Sequence, residues 1–187
     1  PDIKLLGVGA IDADGDIDPS VEACRKMTDL FNLRGDDLTI ARSNSRAVNQ
    51  FPHEWRMATY SFNYLPMLNE SGKIDTQQAK LPAHLDMVEK IKEADEPIAL
   101  VMTGPLTDLA RALDVDPDIE KNIEKLYWMG GSLDGHGNVA MVNADGSQEW
   151  NSFWDPYAVK RVFESNIPIQ MVGLESTEEL PLNDELR

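Results

Sequence analysis

Between Gly130 and Trp154 the sequence gathers Asn138, Asn143, Glu149 and Asn151, interleaved with Trp150 and Trp154. Each amide side chain carries both donors and an acceptor, and the lone carboxylate adds strong acceptors. Such a set suits a polyhydroxy ligand such as a sugar, whose every hydroxyl both donates and accepts. The same amides could instead satisfy the backbone of a long loop, and the tryptophans could be core. A second polar segment, Asp12-Ala13-Asp14-Gly15-Asp16-Ile17-Asp18, sets four carboxylates at alternate positions, an oxygen-rich run of the kind a hard cation takes. It departs from an EF-hand loop, since Ile17 stands where that loop needs Gly and Ala23 where it needs a bidentate Glu. The competing reading is a solvated turn that caps the next helix, with Asp14 as the carboxylate best placed to touch a ligand.

Other segments exclude chemistry. Thr103-Gly104-Pro105-Leu106-Thr107 lacks the Gly-rich run and the Lys of a phosphate loop and reads as a strand-to-helix turn. His53, His84 and His136 lie far apart with no metal-ligand spacing, and His84 is expected on a helix surface. No Ser lies in a G-x-S-x-G frame, so covalent hydrolase chemistry is not supported.

Elements that alternate in period must position these residues. Apolar runs and helical spacing take turns along the chain, the signal for β-α-β units. Ile3 to Ile11 reads as a strand. Asp18 is then a plausible N-cap with Pro19 at N1, followed by Val21, Cys24, Met27, Leu30 and Phe31 at helical spacing, which places Cys24 on a core face. Leu38 to Ala41 is a short strand, followed by a polar loop and the aromatic stretch Phe51 to Tyr64. Pro82 to Ala94 reads as a helix with Leu85, Val88 and Ile91 on one side. Ile98 to Met102 is almost wholly apolar, as a parallel strand covered on both faces should be. A helix carrying Leu106, Leu109, Ala110 and Leu113 follows. Leu126 to Met129 is a strand ending at Gly130-Gly131, and a long loop runs to Trp154. Asp155-Pro156 caps a helix through Phe163, and Ile167 to Val172 is the last strand. The sum is an α/β fold with a mostly parallel sheet flanked by helices, Rossmann-like, over a single domain, residues 1–187. Ligands of such sheets bind outside the carboxyl ends of the strands. That rule selects Asp12 to Asp18, Met102 to Thr107, Met129 to Asn151 and Leu174 to Thr177.

Composition narrows the partners. The 187 residues carry 17 Lys+Arg against 33 Asp+Glu, a formal net charge of −16. No basic stripe is present to hold a phosphate backbone or an anionic membrane, so neither nucleic acid nor membrane is expected as a partner. No apolar run approaches the ~20 residues of a membrane-spanning helix. The sole cysteine, Cys24, makes an intrachain disulfide impossible. The chain opens on Pro1 almost directly into a strand, and Pro181 to Arg187 resembles the first turn of a helix, so both ends read as cuts in a longer protein.

Val101-Met102-Thr103-Gly104-Pro105-Leu106-Thr107, Trp128-Met129-Gly130-Gly131, Gly137-Asn138 and Glu149-Trp150-Asn151-Ser152-Phe153-Trp154-Asp155-Pro156, in this order, resemble the nucleoside hydrolases (nucleoside N-ribohydrolases). The eleven-residue spacing from Asn138 to Glu149, Trp150 between Glu149 and Asn151, Asp14, and Trp55 within Phe51 to Arg56 look more like the purine-preferring branch. The resemblance implies that water bound to Ca2+ attacks the anomeric carbon of a ribonucleoside. It gives Thr103 a backbone carbonyl role at the metal, Met129, Asn138, Glu149 and Asn151 the ribose hydroxyls, Trp150 a wall of that pocket, Trp55 the stacked purine and Asp14 a place near the base. It also implies a partial domain, with the family's first strand, which carries most metal ligands and the general base, and a later aromatic-Asp segment both outside these residues. No catalytic base is therefore expected within this chain, and the piece alone is expected to be inactive. A pyrimidine-preferring or nonspecific hydrolase, or a non-catalytic nucleoside- or sugar-binding protein, is the alternative. The substrate partner expected is a ribonucleoside, and homo-oligomers are compatible with the sequence.

Overall fold

The computed structural model describes residues 3–33 and 38–179. The helical turn expected over Pro181 to Arg187 lies outside the described residues. Strands and helices alternate: β1 (Gly7–Asp12), α1 (Ile17–Leu30), β2 (Thr39–Arg46), α2 (His53–Arg56), α3 (Ala58–Asn63), β3 (Gln77–Gln78), α4 (Ala83–Glu93), β4 (Ile98–Met102), α5 (Thr107–Val115), β5 (Ile123–Met129), α6 (Trp150–Trp154), α7 (Pro156–Phe163), β6 (Ile169–Val172) and α8 (Leu174–Glu178). Among the described residues the strands form two three-stranded sheets, ordered β1-β2-β3 and β4-β5-β6, and every pair is parallel. The α/β class with parallel strands agrees with the sequence, although the strands divide into two sheets.

The main core lies under β4, β5 and β6. Val88 and Ile91 of α4, Leu109 and Leu113 of α5, Val162 of α7 and Trp128 of β5 are all buried in one cluster. Burial of such side chains contributes roughly 1.5–3 kcal/mol each before entropy is counted. These helices cover one face only. Ala99 and Val101 of β4 and Tyr127 of β5 are exposed, with Val101 at 74%, so among the described residues β4 is covered on one face, where its apolar run predicts cover on both. A run of apolar residues cannot say which of its two faces finds a partner.

Several boundaries also move. The first strand begins at Gly7, and Ile3 is exposed. Asp16 is the N-cap of α1, and Asp18 instead pairs with Arg42 at 2.8 Å. Phe31 is the C-cap residue and is exposed, while Cys24 is half-buried against the Ala10, Val21 and Ile40 cluster. Strand β2 continues through the segment expected as a polar loop. Its Ser43 and Ser45 hydroxyls donate to the buried Asp108 carboxylate of α5, at 3.0 and 2.5 Å, which satisfies polar side chains inside the fold. His84 is buried rather than on a helix surface, and burial, with the Arg111 cation adding to it and Asp108 opposing, holds its pKa below the ordinary value. The segment expected as loop as far as Trp154 closes with α6, while Asp155 caps α7 as read, accepting from the Ala158 amide at 3.0 Å.

Candidate functional site

The helix α6 sits where the carboxyl ends of the strands converge. Glu149 is its N-cap, 3% exposed, and its carboxylate accepts from the amides of Asn151 (3.0 Å), Ser152 (3.1 Å) and Gly131 (2.7 Å). The first two bonds occupy orphan donors of the helix start. The third ties α6 to the turn after β5, where Gly131 has φ +74°, a conformation that favours glycine.

Asn151, one residue into the same turn, spans the two strand ends. Its Nδ2 donates to the Thr103 carbonyl (3.2 Å), which follows β4, and to the Met129 carbonyl (3.0 Å) at the end of β5, with the Met129 sulfur 3.2 Å away. Asn138 lies opposite on the incoming loop, and its Oδ1 accepts from the Trp150 amide at 3.0 Å. That loop closes on itself through Gly137 N to the Gly146 carbonyl (2.7 Å) and Val139 N to the Gln148 carbonyl (3.0 Å). A Cβ on Gly137 would run into the Gln148 backbone, so the approach needs glycine.

An aromatic wall stands beside these polar groups. Trp150 and Trp154 are buried with Ala13 and Val139, against Phe51 and Phe153. Phe51 meets Trp150 edge-on at 4.5 Å and Trp55 at 5.0 Å between centroids, and Trp55 lies 6.3 Å from Trp150. Trp55, on the short helix α2, remains 53% exposed, an open indole beside a closed cluster.

The structure therefore brings together Thr103, Met129, Asn138, Glu149, Trp150, Asn151 and Trp55 from five separate segments. Asp14 is an exposed side chain next to Ala13, which packs on the same tryptophans. Asn143 has φ +75° on the exposed part of the loop and takes no part in the cluster. The acidic run is not an open cation loop: Arg56 binds Asp12 and reaches Asp16 at 3.0 Å, and Arg42 holds Asp18. Arginines could not be paired with particular carboxylates from sequence spacing. Phe51 packs on Trp150 and Glu175 on the turn after β5 without having been singled out; Glu175 lies in a strand-end segment that the sequence selects, Phe51 in the aromatic stretch. The Glu175 carboxylate accepts from the amides of Leu133 and Asp134 and lies 3.1 Å from the Ser132 hydroxyl oxygen.

Among the described residues no three of His, Cys, Asp or Glu gather as a cation site. The Thr103 carbonyl is a single neutral donor already accepting from Asn151, whereas calcium takes about 6–8 oxygens. These residues do not by themselves hold the ion.

A family model described as inosine-uridine preferring nucleoside hydrolase matches residues 1–186. The chain belongs to this family. A solved inosine-uridine preferring nucleoside hydrolase from Bacillus anthracis is 47% identical to it, with a TM-score of 0.93 over 98% of this chain and 60% of the other. The pyrimidine-specific ribonucleoside hydrolase RihA of Shewanella woodyi is 41% identical over 99 residues, 53% of this chain and 30% of that protein. The purine-preferring ribonucleoside hydrolase from Gardnerella vaginalis shares the fold, with a TM-score of 0.74 at 24% identity over 98% of this chain and 56% of that one. The chain thus spans 60% or less of the length of each of these relatives. Among the described residues no helix is long and apolar enough to cross a membrane.

Proposed function

We propose that the protein to which this chain belongs hydrolyses the N-glycosidic bond of ribonucleosides, and that these residues form the sugar pocket and one wall of the base site. The observation that carries this reading is Asn151 bridging the carbonyls of Thr103 and Met129 beside the buried Glu149. With Nδ2 engaged there, the Asn151 Oδ1 is an acceptor for a sugar hydroxyl. Asn138, whose Oδ1 is taken by the Trp150 amide, offers its Nδ2 as a donor, and Glu149 Oε1 has room for a further hydroxyl. Breaking the bond leaves positive charge on the ribose, which a fixed carboxylate and an amide oxygen stabilise more than they stabilise the neutral sugar. The electron pair of the C–N bond leaves with the base, and water supplies the hydroxyl at the anomeric carbon. The second proton of that water passes to a general base proposed to lie outside the residues described here.

The finer reading is a purine preference, supported by the exposed Trp55 indole next to Trp150, since a large flat base gains most from an indole face. The second reading, a pyrimidine substrate, is favoured by the 41% identity to pyrimidine-specific RihA. Steady-state release of base from inosine and uridine by the full-length gene product decides between them. With Trp55→Ala, a purine enzyme loses about two- to tenfold in kcat/KM on inosine, one stacked ring being worth on the order of 0.5–1.5 kcal/mol. A pyrimidine enzyme loses little on uridine. No base release from either nucleoside would overturn the hydrolase reading.

A further inference from the structure

Glu175 follows β6, in a strand-end segment to which the reading above gives no role. Its half-buried side chain reaches across to the turn after β5, where the carboxylate accepts from the amides of Leu133 and Asp134 and lies 3.1 Å from the Ser132 hydroxyl oxygen. Geometry around it supports that pose. A Cβ on Gly173 would collide with Glu175 Oε2, so the carboxylate folds back over a residue that has no side chain. The Leu174 amide also donates to the Gly131 carbonyl at 3.0 Å, and the Gly130 amide to the Val172 carbonyl at 3.1 Å. The turn is thus held on one side by Glu149, through Gly131, and on the other by Glu175.

The grip continues along the chain. Asp134, bound through its amide, turns its own carboxylate to accept from the Ser132 hydroxyl (2.8 Å) and the His136 amide (2.9 Å). The next residue, Gly137, begins the backbone ladder to Gly146 and Gln148, and Asn138 follows with its bond to Trp150. Hydrogen bonds from Glu175 to the Asp134 amide and from Asp134 to the His136 amide therefore fix the backbone two residues ahead of Asn138.

We propose that Glu175 is a positioning residue of the sugar pocket: its carboxylate sets the turn Ser132–Asp134 and, through Asp134, the placement of Asn138. The pocket's role rests on the proposed function, whereas the positioning does not. A charged acceptor shared by two amides is stronger than the water that would replace it.

Hydrogen exchange on the 187-residue chain tests the positioning without any ligand. In Glu175→Ala the amides of Leu133 and Asp134 should exchange about tenfold faster, and that of Trp150 about threefold faster, while the Ala110 amide inside α5 keeps its wild-type rate. Gly173→Ala keeps the charge and displaces the carboxylate, so it should move the same amides in the same direction. Glu175→Gln keeps one acceptor oxygen and should restore part of the protection. If Leu133 and Asp134 speed up in both variants while Trp150 does not, the grip ends at Asp134 and the proposal fails. It fails equally if none of the three amides responds. Titration of the full-length gene product with D-ribose and inosine is the separate arm. Where binding is seen, Glu175→Ala should weaken it about tenfold with partial recovery in Glu175→Gln; where wild type binds neither, the pocket reading falls and the exchange rates still decide the positioning.

Discussion

Asn151 concentrates the most connections in the smallest space. One amide nitrogen closes two strand ends onto each other, at 3.2 Å to Thr103 and 3.0 Å to Met129, in a residue only 7% exposed. Removing it in Asn151→Ala leaves two carbonyls without their donor in a partly buried setting. The expected cost is about 1–3 kcal/mol in urea-induced unfolding. Asn151→Asp should do no better than Ala, because its carboxylate would face the same two carbonyls with oxygen instead of nitrogen. A midpoint for Asn151→Ala equal to that of wild type would show that these bonds contribute nothing net.

Between helices, α5 and α7 meet through a cap. Asp155 accepts from the Ala158 amide at 3.0 Å and from the buried Thr107 hydroxyl at 2.8 Å, so one side chain starts α7 and fastens α5. Asp155→Ala should cost about 1–2 kcal/mol, read as a lower thermal midpoint, with Asp155→Asn recovering part of it. The loop after β5 carries a pH signature at the same scale. Backbone bonding by His136, with Ser132 and His136 side-chain contacts, lowers the Asp134 pKa from 3.8 to about 2, and the Asp134 amide, ahead of its own backbone and Leu133 contacts, lowers that of Glu175. Carboxylates with depressed folded pKa values contribute their stabilisation above the unfolded values and lose it as pH falls through the folded ones. Amide exchange over residues 131–139, corrected for intrinsic rate, should therefore hold steady from pH 7 to 5 and rise as pH falls from about 4 towards 2. A loop equally protected at pH 2 and pH 7 would contradict those bonds.

For the whole molecule, an excess of sixteen negative charges means that a divalent cation meets attraction everywhere and a donor cage nowhere among the described residues. Specific binding would stabilise the fold by about 2.7 kcal/mol at a hundred times Kd, several degrees in a chain of this size. Millimolar Ca2+ should instead shift the melting temperature of the 187-residue chain no more than the same concentration of Mg2+. A calcium-specific rise would reveal a site that these residues do not display.

Legibility differed by element. The strand Ile98–Met102 and the helices α4 and α7 stand within a residue or two of their sequence readings, because an apolar run bounded by turns, a helical period and a Pro-preceded cap are local signals. The motif order that resembles nucleoside hydrolases likewise named Thr103, Met129, Asn138, Glu149, Trp150, Asn151 and Trp55, and the fold gathers them. Sequence alone therefore determined the α/β class and the family, and named the polar groups that the fold gathers around α6. Tertiary structure decided what depends on residues distant in the chain: that Ser43 and Ser45 prolong β2 by bonding Asp108, that His84 is buried, that arginines occupy Asp12, Asp16 and Asp18, and that Glu175 grips the loop leading to Asn138. Side-chain period and turn chemistry are written in neighbouring residues, whereas the partner of a charge and the cover over a sheet face are set by which surfaces meet when the chain closes.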